Sequence, residues 1–379
     1  MTETLELRGM TWDHARGYDC LVAASKQYER DTGVRITWHK RSLQAFADQS
    51  IADLARENDF IVLDHPHVGQ IAHSRSLLAL PEWQDVTVGS LGGSMGGSVE
   101  SYVYDGKTWA YPIDAACQMG VVRPDLGGQM PPTWGAFLAA EACDLRAITP
   151  LLPVDAFDML MTLVAGRDED VLPLSPTEFI SEANGIPALD VLKALYRLGP
   201  SDACEMNPIA VLELMSSESD FAISPCLFGY VNYARPGFRT HPLTYANLPL
   251  FDGFDRRRGI LGGAGIGISA STGDSDAALK FARWVTSEPV QSGVYLENDG
   301  QPAHRQTWQN RRKDPDYAGF FDGAFDTMSD AWTRPRDEWF LHFVDDVCDI
   351  MSSFFLKDIA SGDFLKQINT LYRHHIAKG

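Results

Sequence analysis

The sequence predicts an α/β protein of more than one domain, and three observations carry that expectation. Short apolar runs alternate with helical periodicity through the first third of the chain, the sign of a parallel sheet covered by helices. At 379 residues the chain exceeds what one shared core usually serves, so two domains, or three small ones, are expected. Late in the chain, Gly259–Ser269 joins glycine freedom to a strand, which suits a hinge segment crossing back between domains.

The elements follow in order. Leu5 to Met10 reads as a strand, Thr11 to Gly17 as its loop, and Leu21, Ala24, Ser25 and Tyr28 recur at helical spacing up to the stop at Gly33. Val34 to Trp38 is a second strand. Leu43, Phe46, Ala47, Ile51, Leu54 and Ala55 form one stripe of a second helix, and Phe60–Leu63 is a buried third strand. In such a βαβαβ unit ligands bind beyond the carboxyl ends of the strands, so the loops at Trp12 to His14, Lys40 to Ser42 and Asp64 to Gly69 should converge on one crevice. Thr108 to Asp114 reads as an extended crossover. Thr133 then caps a helix from Trp134, with further helices near 155–165, 186–198 and 208–216 and a strand at Phe221 to Ser224. The wide apolar stripe from Trp339 to Phe355 marks a packed amphipathic helix whose aromatics are expected in the core.

Composition narrows the function classes. Hydrophobic residues at 45% and charged residues at 22% exclude disordered, collagenous and coiled-coil chains. The 51 acidic against 32 basic residues give a net charge of −19, which argues against a nucleic-acid partner. Apolar stretches fall well short of the roughly 18 residues of a membrane span. Met1 to Leu7 shows no basic n-region and no apolar h-region, so a cytosolic location is expected unless an export signal has been removed. Six widely spaced cysteines (Cys20, Cys117, Cys143, Cys204, Cys226, Cys348) contain no CxxC pair and read as free thiols. No cofactor is called for, and a monomer is expected.

Several segments together resemble the extracellular solute-binding proteins of family 1, the maltose-binding-protein-like receptors of ABC importers. These are Tyr28–Val34 before the second strand, Asp59–Asp64 as the third strand with Leu77–Leu80 after it, and Trp109–Asp114 as a crossover. The resemblance covers essentially the whole chain. It implies a periplasmic-binding-protein-like type II fold, two α/β lobes closing by a hinge on a ligand. The lobes would be interleaved, residues 1–112 and 263–303 forming the first and 113–262 and 304–379 the second. The implied function is that of an importer's receptor, binding a small carbohydrate, polyol or sugar acid and presenting it to an ABC permease. The alternative is a cytosolic enzyme or sensor on the same scaffold.

Candidate ligand residues follow from strand ends and residue chemistry. Trp12 offers a stacking face and His14 a ring that hydrogen bonds hydroxyls, or both simply pack the lobe's edge. Arg41 follows the second strand with a planar donor fork. Asp64 accepts hydroxyls or caps the next helix, and His65 with His67 is a weak metal pair lacking further ligands, so no metal is expected. Asp114 opens the second lobe; Cys117 beside it is a ligand contact, a nucleophile or a small buried residue. Phe228, Tyr230, Asn232 and Tyr233 combine rings with an amide after a second-lobe strand. Gly263 suits a close backbone approach. Gln301 and Arg305, and either Trp332 or Arg334, are further cleft candidates.

Overall fold

The structure, a computed structural model, describes residues 5–42, 50–83, 93–140, 146–169, 171–317 and 319–377. Three strands open it: β1 (Glu6–Trp12), β2 (Arg35–Arg41) and β3 (Phe60–Leu63), with α1 (Ala15–Thr32) and α2 (Ile51–Glu57) between them. β1 pairs in parallel with β2 on one side and β3 on the other. β3 is apolar at each of its four positions and wholly buried, as a strand covered on both faces must be. The predicted stripe of the second helix is met at Ile51, Leu54 and Ala55, all buried, while Leu43, Phe46 and Ala47 lie outside the described residues.

Helix α3 (Val68–Ser74) follows β3, and the 12-residue strand β6 (Tyr111–Val122) comes after a small hairpin, β4 (Val103–Tyr104) and β5 (Lys107–Thr108). The remaining larger elements are α4 (Trp134–Ala140), α5 (Pro153–Ala165), α6 (Glu182–Leu198), α7 (Pro208–Met215), β7 (Ile223–Phe228), β8 (Thr244–Ala246), β9 (Leu261–Ile268), α8 (Ser275–Val285), α9 (Arg305–Arg311), α10 (Glu338–Leu356) and α11 (Ser361–Ile376). Strand order among the described residues is β2-β1-β3-β9-β6-β7, with β8 also on β6. β6 and β9 run through the middle: Tyr111 to Cys117 of β6 pair with β9, and Gln118 to Val122 pair with β7 and β8.

Two sets of cores flank this central pair. One joins Leu7, Tyr28, Trp38 and Phe60 to Phe281 and Val285 of α8. Another packs Phe157 of α5, Leu189 of α6, Phe343 of α10 and Tyr372 of α11. There the Phe179 and Phe343 rings lie 4.7 Å apart edge-on, an arrangement contributing about 0.5 to 1.5 kcal/mol beyond area burial. The tail-end aromatics Phe343, Phe354 and Phe355 are core residues, as their helical stripe predicts.

Three boundaries differ from the sequence reading, each for a local reason. The loop expected from Thr11 to Gly17 shrinks to Asp13 and His14, because His14 caps α1: its Nδ1 accepts from the Arg16 backbone N–H at 3.1 Å, so the helix starts at Ala15. The strand expected to stop before Pro225 continues to Phe228. Its ladder with β6 is irregular between Met119 and Val121, and Pro225, which has no N–H to offer, sits at that irregularity. The crossover expected to be short is the first half of a long strand. A second register shift, between Pro112 and Asp114, lies opposite Gly265 and Ala264, and the next residue of β9, Gly263, paired with Ala115, has a φ of +98°. A Cβ at Gly263 would lie 2.3 Å from the Asp114 carbonyl oxygen, so this close approach of two backbones requires glycine.

Candidate functional site

The ends of β1 and β3, the middle of β6 and β9, and the starts of α5 and α7 surround a cleft of about 770 Å³. Its lining includes Trp12, Arg16, Asp64, His67, Asp114, Asp155, Asp158, Phe228, Tyr230, Gly263, Arg334 and Phe340. The size lies within the usual range for small-molecule sites, roughly 300 to 1,000 Å³. The crevice expected beyond the parallel strands is present at the ends of β1 and β3, but the Lys40–Ser42 segment after β2 does not line it.

One corner of the cleft is internally balanced. Arg16, in the first turn of α1, donates to both Asp114 carboxylate oxygens, through Nε at 2.7 Å and through Nη2, and its Nη1 donates to the Gly229 carbonyl at 3.0 Å. Its guanidinium also stacks over the Tyr230 ring, 4.3 Å from the centroid. Both partners are buried, and the fork geometry suits a carboxylate held in two places. Burial raises the Asp114 carboxyl and the Arg16 charge opposes that rise. With the guanidinium bound to both oxygens, we take the pair as ionised.

The opposite corner is not balanced. Arg334 donates to Asp64 at 2.6 Å through Nη2 and makes only long contacts, 3.4 Å at best, to Asp158 through Nη1. Its Nε is buried without a hydrogen-bond partner. The Asp64 carboxyl is held well below the usual carboxylate range: burial acts upward, and the Arg334 and His65 contacts outweigh it. Asp158 is pushed up to about 6 by burial, which Arg334 only partly offsets. Asp155, one helical turn earlier on α5, is 7% exposed, lines the cleft and has neither a hydrogen bond nor a cation. Burial and the charge of Asp158 push it well above the carboxylate range. Its first-turn position favours ionisation by only about 0.3 to 1 kcal/mol, too little to reverse that.

Seven of the sequence-derived candidates meet at this cleft: Trp12, Asp64, Asp114, Phe228, Tyr230, Gly263 and Arg334. The others lie outside its lining. His14 is the α1 cap, its ring 5.0 Å from that of Tyr230 and its pKa lowered to about 4, chiefly by burial. Arg41 is buried and donates to the Val62 carbonyl at 3.2 Å. His65 lies behind Asp64, its Nδ1 3.0 Å from that carboxylate, and burial keeps it neutral; its neighbour His67 is the histidine that reaches the cleft. Cys117 sits in an apolar core, where burial pushes its thiol upward and no thiolate nucleophile is supported. Asn232 donates to the Asp299 carbonyl at 3.0 Å, and Arg305 is half-buried at the start of α9. Gln301 is occupied in joining strands and turns: it accepts from the Val231 N–H and donates to the Ala115 carbonyl, both at 2.8 Å. Between Trp332 and Arg334, the arginine lines the cleft and the tryptophan's backbone pairs beside β9.

Sequence reasoning missed Arg16, Asp155 and Asp158. A signal for the two acids exists: α5 is otherwise almost wholly apolar, and these two aspartates, spaced i and i+3 on one face, are buried with the rest of it. No group of three or more His, Cys, Asp or Glu able to hold a metal ion occurs among the described residues. Cys20, Cys117, Cys204, Cys226 and Cys348 are free thiols, and Cys143 lies outside the described residues. No described helix is long and apolar enough to cross a membrane.

No family model matches the sequence, and no curated protein sequence is significantly similar to it. Solved structures are similar along nearly the whole chain. An ABC transporter solute-binding protein from Thermotoga lettingae bound with α-D-tagatose has a TM-score of 0.80 at 15% identity, covering 98% of this chain and 100% of its own. The GacH receptor of Streptomyces glaucescens, solved unliganded and with acarbose, gives 0.78 at 14% identity, covering 99% of each chain. Maltose-bound MalE3 of T. maritima gives 0.77 at 15% identity, covering 98% of this chain and 99% of its own. At these identities the likeness establishes the fold: two α/β lobes of the periplasmic-binding-protein-like type II architecture.

Proposed function

We propose that the chain is the solute-binding receptor of an ABC-type importer and takes a small carbohydrate or polyol in the cleft. The observation that carries this reading is a cleft of ligand size between two lobes, where aromatic residues (Trp12, Phe228, Tyr230, Phe340) stand beside unused hydrogen-bonding capacity on Arg334 and Asp155. The structural relatives bound to tagatose, maltose and acarbose support the same ligand class. Of the three classes suggested by the sequence, a sugar acid fits least. Its carboxylate would enter beside Asp158, whose contact with Arg334 is long, and like charges in a dry site repel.

Closure would turn on the β6/β9 pair at Pro112 and Gly263, with lobes of 1–112 plus 263–303 and 113–262 plus 304–379. On this reading the chain works beside its permease in a periplasmic or extracellular setting. The enzyme alternative loses its nucleophile, since Cys117 is buried away from the cleft and the thiol of Cys348, which does line it, is pushed up to about 12 by burial.

Calorimetric titration against a panel of neutral sugars and polyols, paired with small-angle scattering, tests the proposal. A saturable heat together with a smaller radius of gyration is the expected result. No binding and no compaction across the panel would sink it.

A further inference from the structure

The Arg334 corner of the cleft points to a more specific ligand, and the inference rests on the receptor reading given above. Two acids on one face of α5, Asp155 and Asp158, are at least nine-tenths buried and line the cleft, yet the nearest base, Arg334, is already committed to Asp64 at 2.6 Å. Asp158 receives only its 3.4 Å contact, and Asp155 receives no hydrogen bond and no cation. Buried carboxylates are ordinarily paired, hydrogen-bonded or metal-bound. The described residues hold no metal-binding cluster. What is missing is a positive group the size of an ammonium, arriving from the cleft.

The same corner also wants a hydroxyl. Arg334 Nε is a buried donor without an acceptor, and it lines the same space. Phe340, from α10, lies on the same lining and supplies an aromatic surface against which a ring can rest.

We propose that the ligand is a polyhydroxylated amine, an amino sugar or aminocyclitol, whose ammonium group binds between Asp155 and Asp158 while a hydroxyl accepts from Arg334 Nε. The charged and titratable groups facing this subsite are Asp155 and Asp158 on α5, Tyr230 after β7, Arg334 with Asp64 and His67 beyond it, and His342, Asp345 and Cys348 from α10. In the free protein, burial and mutual repulsion favour a proton on Asp155. An ammonium neighbour reverses that preference, so the carboxyl O–H gives its proton to solvent as the amine binds and the carboxylate accepts hydrogen bonds from N⁺–H.

The test is calorimetric titration of the full chain near pH 7 with matched pairs: glucosamine and glucose, then a set of amino sugars and aminocyclitols each with its hydroxyl counterpart, and putrescine as an amine without hydroxyls. Each titration is repeated in two buffers of different ionisation enthalpy. At least one amine is expected to bind tenfold or more tighter than its neutral counterpart and to release a proton, while the neutral sugar releases none. Asp155→Asn, with folding checked by thermal melting, should abolish both the preference for the amine and the proton release. Asp158→Asn should weaken the same preference.

Equal or tighter binding of the neutral member of every pair overturns the amine proposal and leaves the sugar receptor standing. Tight binding of putrescine with none of the sugars keeps the amine subsite and overturns the sugar reading. No binding of any probe overturns both.

Discussion

The two charged corners of the cleft are built from the same parts and end in opposite states. At the Arg16 corner one guanidinium meets one carboxylate with two hydrogen bonds, adds the Gly229 carbonyl and stacks on Tyr230. At the Arg334 corner one guanidinium is shared between Asp64 and Asp158, one of its nitrogens is unused, and Asp155 stands beside them with no cation. A buried pair that is complete holds the fold and offers little to a ligand. A buried cluster that is incomplete costs the free protein stability, and a ligand that completes it binds through that deficit.

The largest expected effect breaks the complete corner. Arg16→Met leaves Asp114 buried without its partner and should destabilise the protein by about 3 to 5 kcal/mol, read by chemical denaturation. The double variant Arg16→Met with Asp114→Leu should recover much of that loss. The incomplete corner should answer with the opposite sign. Asp158→Asn should stabilise the unliganded protein above pH 6, by up to about 3 kcal/mol if the loss of its long Arg334 contact is small. The sign follows from protons: the Asp158 carboxyl titrates from 3.8 in the unfolded chain to about 6 in the folded one, so the native state binds more protons across that window and stability falls as pH rises through it. The variant's gain is therefore full above about pH 6 and gone below about pH 4, which melting curves at pH 4, 6 and 8 will show.

A smaller effect tests the proposed hinge, which abuts the complete corner at Asp114. Gly263→Ala places a Cβ against the Asp114 carbonyl at a positive φ and should destabilise by about 1 to 3 kcal/mol while reducing ligand-induced compaction in scattering. The smallest concerns the cap beside the complete corner. His14 titrates near 4 in the folded protein against 6.5 in the unfolded chain, so its contribution is present above pH 6.5 and lost as pH falls through 4. His14→Gln should flatten stability between those values and change little at pH 8, as read by denaturation across that range.

The comparison also explains what could be read in advance. β3 and its neighbours were legible because a four-residue apolar run before a polar strand end has few other readings, and the strand-end rule then brought Asp64, Trp12 and Tyr230 to the cleft, while Asp114 was found by its place after the crossover. The same rule over-reached at adjacent positions. Side chains alternate along a strand, so Asp114 and Ala116 line the cleft while Cys117 points into the core behind them. Past the end of β3, Asp64 caps a short 3-10 turn, His65–His67, which leaves Asp64 at the cleft and His65 behind it. Asp155, Asp158 and Arg16 stayed hidden because they are presented by helices, where periodicity marks the apolar face and gives no sign of which charges it buries. The two aspartates of the almost fully buried α5 define the incomplete corner.

The measurement that tests this account most directly is the number of protons released when an amino sugar binds, obtained by titration in two buffers, for the wild type and for Asp155→Asn. The account predicts a release from the wild type that disappears in the variant together with the preference for the amine. A wild type that binds the neutral sugar as tightly as the amine, with no proton exchanged for either, would contradict it.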